Sequence, residues 1–390
     1  MNKPLALSLG CVFISLGCTS RNLYRHVQLK NPPIERGYVY LSRDKAPDAG
    51  QDPVEFGSPA VTKDIVYVAT ETRGLEAFER SRFRRKWQFK VKNGLSSELT
   101  LDSSGGSPVV YFGANDGSFY ALDGEFGKVL WKYETKALVF ARPTVINKRV
   151  YLTASDDVVY CLDQASGKWL WHYKRGGSYI TTVHGNSTPA VDITAGGTGL
   201  AYVGFSDGYI VALNAQDGNL KWEQKIHKGS KFTDVDAMPM IDGERIYIPS
   251  YDGELYSLQK INGRVLWHID VGGSKKVLMD DKTIYLASSN GSIYSIIKDS
   301  GRLDWKFDLD EGTPTNLVQR ENHVAFGSSR QYFYVINKGD GSLAYRYNAG
   351  LRSGFVSTPT QLDRDIFILS NFGNLYVFRW VENLKQGARL

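Results

Sequence analysis

The most regular feature of the chain is a pattern of short apolar strands and glycine turns that recurs along most of its length. Each unit has an apolar strand, an Asp-Gly or Asn-Gly turn, a second strand, a Gly-Lys-like turn and a strand that ends near a Trp. The clearest copy runs from Val110 to Tyr133, with turns at Asp116-Gly117 and Gly127-Lys128 and with Trp131 near its end. Asp-Gly and Asn-Gly suit the tight turns that join paired antiparallel strands. The pattern therefore predicts a series of β-hairpins.

Eight copies of this unit can be counted. Seven of them end in an aromatic residue, and successive closing aromatics lie 38 to 51 residues apart, at positions 87, 131, 171, 222, 267, 305 and 345. A further strand, usually marked by a small residue followed by Pro, precedes each copy. A period of this length is typical of a propeller blade with four short strands. We predict an all-β fold, a single eight-bladed β-propeller of four-stranded antiparallel blades.

The eighth copy stops at Trp380 without its last strand. The segment Gly37-Tyr38-Val39-Tyr40-Leu41 lies ahead of the first full copy and has the pattern of the missing strand. An N-terminal strand that completes the last blade would close the ring and cover two strand edges. We therefore place the propeller at residues 37–380 and a C-terminal tail at residues 381–390.

The N-terminus has the pattern of an export signal. Lys3 supplies a positive charge, and the stretch from Pro4 to Gly17 is uncharged and too short to span a bilayer. Ser15-Leu16-Gly17-Cys18 resembles a bacterial lipobox, in which cleavage before Cys18 leaves this thiol to carry the lipid. The alternative is an ordinary cleaved signal peptide with an accidental Cys. The predicted segments are a signal peptide at 1–17 and a lipidated linker at 18–36.

Charge and residue types exclude several functional classes. The net charge of +6 is small for 390 residues and gives little reason to propose nucleic-acid binding. The six His residues show no metal-binding spacing, and no Gly-x-Ser-x-Gly elbow or P-loop is present. We therefore expect no catalytic residues, no cofactor and no metal.

Two further features have structural interpretations. Cys161 lies in the apolar strand pattern Val158-Val159-Tyr160-Cys161-Leu162, so we interpret it as a small buried hydrophobe. The basic run Arg80, Arg82, Arg84, Arg85 and Lys86 is interpreted as a solvated blade edge that discourages strand-to-strand aggregation.

The unit resembles the PQQ-like repeat of quinoprotein dehydrogenases and their relatives. Eight such repeats behind a lipoprotein signal, with little other sequence, are similar to the propeller lipoproteins of the bacterial outer-membrane β-barrel assembly machinery. This resemblance implies a non-catalytic scaffold that is lipid-anchored at the periplasmic face of the outer membrane. It also implies a role in the folding and insertion of β-barrel outer-membrane proteins.

The most specific motif of this resemblance is Asp234-Val235-Asp236, three residues before Pro239. The resemblance implies that this loop helps to bind the POTRA domains of the central barrel subunit, BamA. The partner loop in the preceding blade maps to Thr181, Val183 and His184, where the family typically has Leu and Arg in place of Val183 and His184.

Without the resemblance, Asp234 and Asp236 have interpretations that assign them no specific partner domain. They fit two solvated carboxylates in a loop, or a pair that points the same way toward a partner's cation or Ca²⁺. No Asp-x-Asp-x-Asp-Gly loop supports calcium.

Two other functions stay open. One is a quinoprotein dehydrogenase, although the chain lacks the usual length and the adjacent Cys-Cys pair of many such enzymes. The other is a propeller lipoprotein of a different envelope complex. A further hypothesis is that exposed blade edges pair with nascent outer-membrane proteins by β-augmentation.

Overall fold

The computed structural model describes residues 33–40, 57–175, 187–194, 197–226, 234–251, 253–351 and 353–381. The regular elements in these ranges are β-strands, which form eight four-stranded antiparallel sheets arranged as the blades of a ring. These ranges contain no helix long and apolar enough to cross a membrane. The prediction of an eight-bladed β-propeller is confirmed. The predicted signal peptide, Cys18 and residues 19–32 of the linker lie outside the described residues.

In blades 1 to 7 the strands follow one another in chain order, and each pairs with the next. Blade 1 comprises β2 (Ala60–Val61), β3 (Ile65–Thr70), β4 (Gly74–Glu79) and β5 (Arg85–Phe89). Blade 2 comprises β6 (Thr100–Asp102), β7 (Val109–Gly113), β8 (Ser118–Asp123) and β9 (Val129–Glu134). Blade 3 comprises β10 (Thr144–Ile146), β11 (Arg149–Ala154), β12 (Val158–Asp163) and β13 (Trp169–Lys174). Blade 4 comprises β14 (Ala190–Ile193), β15 (Gly199–Gly204), β16 (Tyr209–Asn214) and β17 (Leu220–Lys225).

The second half of the ring repeats this order. Blade 5 comprises β18 (Met240–Asp242), β19 (Arg245–Pro249), β20 (Leu255–Gln259) and β21 (Val265–Ile269). Blade 6 comprises β22 (Leu278–Met279), β23 (Thr283–Ala287), β24 (Ser292–Ile297) and β25 (Leu303–Asp308). Blade 7 comprises β26 (Val318–Arg320), β27 (His323–Gly327), β28 (Tyr332–Asn337) and β29 (Leu343–Asn348). Blade 8 comprises β30 (Thr360–Leu362), β31 (Asp365–Leu369), β32 (Leu375–Trp380) and β1 (Ile34–Tyr40).

Blade 8 is built from both ends of the chain. Strand β1 pairs antiparallel with β32, from Ile34 opposite Trp380 to Tyr40 opposite Leu375. The predicted closure by an N-terminal strand is therefore confirmed. The strand begins at Ile34, ahead of the predicted segment that starts at Gly37, because Ile34 is fully buried in the core between blades 7 and 8.

Six tryptophans close the gaps between consecutive blades. Each indole N–H donates to a backbone carbonyl in the last turn of the next blade, at 2.7–3.2 Å. Each ring also lies against a glycine of that turn, where a Cβ would come closer than 3.0 Å to the ring. These aromatics therefore fill the wedge between consecutive blades and reach a backbone group of the next blade. The pairs are Trp87–Gly127, Trp131–Gly167, Trp171–Gly218, Trp222–Gly263, Trp267–Gly301 and Trp305–Gly341.

The prediction for Cys161 is confirmed, since its side chain is fully buried in β12 opposite Trp171. Burial raises the pKa of this thiol to about 11. The interpretation of the basic run as a solvated edge is wrong for Arg80. Its guanidinium donates to Asp365 at 3.0 Å and joins blade 1 to blade 8, because ring closure brings the β4–β5 turn next to the start of β31.

Candidate functional site

The Asp234–Asp236 segment enters blade 5 and is fixed by its backbone. The carbonyl of Asp234 accepts a hydrogen bond from the N–H of Tyr251 at 3.0 Å, and the N–H of Val235 donates to Phe205 at 3.2 Å. Val235 is 1% exposed and packs in the core between blades 4 and 5. A Cβ on Gly204 would come closer than 3.0 Å to the carbonyl oxygen of Val235, so only glycine allows this approach. Val235 therefore anchors the segment.

Four carboxylates from three consecutive blades lie around this segment, and we call them the acidic cluster. Its members are Asp157 in the β11–β12 turn of blade 3, Asp207 in the β15–β16 turn of blade 4, and Asp234 and Asp236 ahead of blade 5. Asp234 is only 2% exposed, whereas Asp236 is half-buried. The turns between second and third strands and the links between blades meet at one rim of the ring, which places the cluster there.

Hydrogen bonds and one cation hold the outer members of the cluster. Asp157 accepts a hydrogen bond from the hydroxyl of Ser206. Asp207 forms an ion pair with Arg175, which also pairs with Glu223. The Arg175 guanidinium lies 3.7 Å from the centre of the Tyr209 ring, so its position is fixed from two sides.

The electrostatics of the cluster show an excess of negative charge. Burial raises the pKa of Asp236 to about 8, and the charges of Asp234 and Asp157 act in the same direction while Lys275 opposes them. Burial also raises the pKa of Asp157, with Asp207 and Asp234 adding to the effect and the Ser206 bond opposing it. Within the described residues, Oδ2 of Asp236 is buried and accepts no hydrogen bond. The site therefore favours the arrival of positive charge.

The structure brings together Asp234, Val235 and Asp236, which the sequence selected as candidate binding residues. The other candidates, Thr181, Val183 and His184, lie outside the described residues, as does Cys18. Asp234 differs from a solvated loop carboxylate because the packing of Val235 draws the segment into the blade interface.

Sequence reasoning missed the contributions of Asp157, Asp207 and Arg175. One signal was available for Asp157. It stands where the clearest copy of the repeat has Gly117, and it has a positive φ of 59°, close to the 78° of that glycine. A non-glycine residue in this conformation is uncommon and marks a position with a special role.

A second group of side chains differs from the acidic cluster, because its potential ligand atoms lie close enough together to hold a metal ion. In the part of the chain that the structure describes, one group of three His, Cys or carboxylate side chains converges closely enough to hold a metal. It consists of Glu254, His268 and Asp270 in blade 5.

Solved structures share this fold. Over 89% of this chain and 99% of the other, the model matches the crystal structure of BamB from Moraxella catarrhalis, with a TM-score of 0.75 and 19% sequence identity. It also matches quinohemoprotein alcohol dehydrogenase from Comamonas testosteroni, with a TM-score of 0.68 and 12% identity over 92% of this chain and 78% of the other. At these identities the likeness establishes a common propeller fold.

Sequence comparison shows which proteins of this fold the chain also resembles in sequence. The chain is 31% identical to outer membrane protein assembly factor BamB of Xanthomonas campestris pv. campestris, over 82% of the chain and 80% of the relative. It is 25% identical to the BamB of Yersinia pestis over 97% of the chain and 99% of the relative. The BamB of Escherichia coli strain K12 is 27% identical over 82% of the chain and 83% of the relative.

Residues 84–307, more than half of the chain, match the family model described as outer membrane protein assembly factor BamB. The chain therefore belongs to the BamB family of outer membrane protein assembly factors.

Proposed function

We propose that the protein is a non-catalytic scaffold for outer-membrane protein assembly. A lipid on Cys18 holds the ring at the periplasmic face of the outer membrane, and the ring assists the folding and insertion of β-barrel proteins. Support comes from relatives named as assembly factors, which match most of the length of the chain. The likeness to quinohemoprotein alcohol dehydrogenases is one of fold alone, and the proposed scaffold uses no quinone.

The partner that we propose is the set of POTRA domains of BamA, which docks on the rim that carries the acidic cluster. The observation that carries this proposal is the concentration of four carboxylates from blades 3, 4 and 5 around a half-buried Asp236. The pKa of Asp236 is raised to about 8, so its ionised form is unfavourable in the free ring. A Lys or Arg of the partner would relieve this cost, because an opposite charge within about 4–6 Å favours the ionised carboxylate.

The three residues of the motif have different proposed roles. Asp236 meets the partner, because its side chain is the more exposed of the two carboxylates. Asp234 and Val235 position it, since both are buried and their backbone bonds fix the segment against Phe205 and Tyr251. Thr181, Val183 and His184 would complete the docking surface from the loop of the preceding blade, as the resemblance implies.

The test is a mild-detergent pull-down of the lipidated protein from its own envelope fraction. We compare wild type with Asp236→Asn and with the control Asp299→Asn, whose side chain is 90% exposed in a turn of blade 6. The expected result is co-purification of BamA with wild type and with the control, and a clear loss with Asp236→Asn. Retention of BamA by Asp236→Asn would contradict the role of this residue. Recovery of another envelope complex without BamA would contradict the proposed partner.

A further inference from the structure

The last hairpin of blade 5 places four side chains with polar or ionisable groups on one face. Strand β20 pairs with β21 so that Leu255 lies opposite Ile269 and Tyr256 lies opposite His268. The same register places Glu254, just before β20, opposite Asp270, just after β21. Side chains two residues apart on a strand share a face, so Glu254, Tyr256, His268 and Asp270 are neighbours.

The side chains of this group are already in contact. Nδ1 of His268 lies 3.5 Å from Oε1 of Glu254. The hydroxyl of Tyr256 donates to the other carboxylate oxygen of Glu254, and the rings of Tyr256 and His268 stack with centroids 5.6 Å apart. One potential ligand atom each from Glu254, His268 and Asp270 lies within 4.8 Å of the other two. Glu254 is buried, whereas His268 and Asp270 are exposed.

The equivalent positions of blades 2 and 6 show what is special about this arrangement. In blade 2, Lys132 lies over the ring of Tyr120 and pairs with Glu134 at 3.4 Å. In blade 6, Lys306 lies over Tyr294 and pairs with Asp308 at 2.7 Å. These blades therefore supply their own cation to a single carboxylate.

Blade 5 departs from this pattern at two positions. His268 stands in the place of the lysine, and Glu254 stands where blades 2 and 6 have Ser118 and Ser292. The built-in cation is thus replaced by an imidazole, and a second carboxylate is added. Blades 2 and 6 have a Lys–carboxylate ion pair at these positions. An imidazole beside two carboxylates is instead a set of ligands that suits a divalent transition metal.

We propose that Glu254, His268 and Asp270 form a binding site for a divalent transition metal, with Zn²⁺ as the preferred ion. Zinc takes His nitrogen and carboxylate oxygen ligands at about 2.0–2.2 Å, so two ligands of a tetrahedral site lie roughly 3.4 Å apart. The 3.5 Å between Nδ1 of His268 and Oε1 of Glu254 matches this spacing. Asp270 is exposed, so rotation of its side chain brings its oxygen to the same distance.

The surroundings support the same assignment. Tyr256 holds Glu254 by a hydrogen bond, and partners of this kind orient the ligands of metal sites. Three protein ligands leave a fourth position for water or for a side chain of a bound protein. Tyr256 packs in the same core as Val235, so a bound metal would also stiffen the support of the acidic cluster. The site does not depend on the proposed partner.

The test is calorimetric titration of tag-free protein with ZnCl₂, combined with visible absorption after Co²⁺ substitution to detect tetrahedral coordination. We expect one saturable site in wild type. His268→Gln and Asp270→Asn should each weaken binding at least about tenfold, because each removes a ligand. Both positions are exposed, so these variants test the site without disturbing the core.

The matched control is His172→Gln in blade 3. His172 also lies beside a tyrosine, Tyr160, with ring centroids 6.2 Å apart, but its flanking positions hold Val158 and Lys174 instead of carboxylates. This variant should bind Zn²⁺ as wild type does. Absence of saturable binding by wild type, or undiminished binding by His268→Gln, would overturn the proposal.

Discussion

The indole of Trp131 lies directly against Gly167 of the next blade, and its N–H donates to the carbonyl of Gln164 in the same turn at 3.0 Å. Gly167 is required for two reasons. Its φ is +66°, and a Cβ would collide with the indole ring. The same relationship holds at six blade interfaces, including this one, so at each of them one tryptophan and one glycine set how closely the two blades approach.

Gly167→Ala should lower the free energy of unfolding by about 2–4 kcal/mol. Roughly 1 kcal/mol comes from a non-glycine residue at positive φ, and the rest from overpacking against the ring. The control is Gly243→Ala, because Gly243 also has a positive φ, +55°, but a Cβ there meets nothing within 4 Å. Urea unfolding checks both variants. Equal losses in the two would show that the indole contact contributes nothing.

The seam between the first and last blades is held by a buried carboxylate between two arginines. Asp365 accepts a hydrogen bond from Nε of Arg379 at 2.7 Å and from Nη2 of Arg80 at 3.0 Å. Burial alone would raise the pKa of Asp365, but the hydrogen bonds and charges of Arg379 and Arg80 outweigh it and hold the pKa below its usual value. Asp365 therefore links blade 8 to blade 1 across the closure.

Asp365→Asn should lower the free energy of unfolding by about 2–4 kcal/mol at neutral pH, because it removes the buried carboxylate that both arginines share. A carboxylate with a depressed folded pKa stabilises above its unfolded pKa, and this contribution is lost as the pH falls through the folded value. The difference from wild type should therefore shrink in acid. Urea unfolding at neutral pH and near pH 3 checks this, and a difference independent of pH would contradict the ionic role.

The repeat made most of the fold predictable. The closing aromatics and the glycine turns are local features that occur in most copies, so a single irregular copy does not hide the period. The strand Ile34–Tyr40 was found by the same reasoning, because a blade without its fourth strand leaves an open edge. Its first residues were missed because burial of Ile34 depends on the neighbouring blade.

Contacts across blades were not predictable in this way. Arg80 and Asp365 are 285 residues apart and meet only because the ring closes. Asp157 of the acidic cluster, and Arg175, which pairs with its member Asp207, were also missed, because each lies in a different turn or link of the repeat from Asp234. The motif itself was visible in the sequence, but the burial of Asp234 follows from how Val235 packs between two blades.

A hydrogen-bonded group joins the segments that lead into the first strands of three blades. Thr358 donates to Glu98 at 2.6 Å, and Asn316 donates to Thr358 at 2.7 Å, so blades 7, 8 and 2 are connected. Burial lowers the pKa of Lys276, and the charge of Arg142 adds to this effect while Glu98 opposes it. The charge of Glu98 therefore partly balances that of Lys276.

Glu98→Gln should destabilise the ring by about 1–3 kcal/mol, because the amide keeps the hydrogen bond from Thr358 but removes the balancing charge. The loss should be smaller when Lys276 is replaced as well. A double-mutant cycle with Lys276→Met, followed by urea unfolding, measures this coupling, which we expect to be at least about 0.5 kcal/mol. Additive effects of the two changes would show that the charges do not interact.

Asp236→Asn should stabilise the free protein in a pH-dependent manner. The folded pKa of Asp236 is raised to about 8, so the folded state binds a proton more tightly than the unfolded chain does. Stability is then lost as the pH rises from the unfolded carboxyl pKa through the folded value. The variant should match wild type near pH 4 and exceed it by about 4–6 kcal/mol near pH 8, since each unit of pKa shift corresponds to about 1.4 kcal/mol. Urea unfolding across this range checks the sign, with Asp299→Asn as the exposed control.

The proposed docking of POTRA domains on the acidic cluster should therefore release protons. A partner cation near Asp236 lowers the pKa of this carboxyl, so a proton present in the free ring leaves when the complex forms. Affinity for the POTRA domains should then rise as the pH increases from about 6 to 8. Ion pairs between groups with ordinary pKa values would leave the affinity nearly constant over this range, because those groups do not titrate there. Calorimetry in buffers with different ionisation enthalpies measures the released protons. Asp236→Asn should abolish this release, and persistence of the same release in the variant would place the titrating group elsewhere.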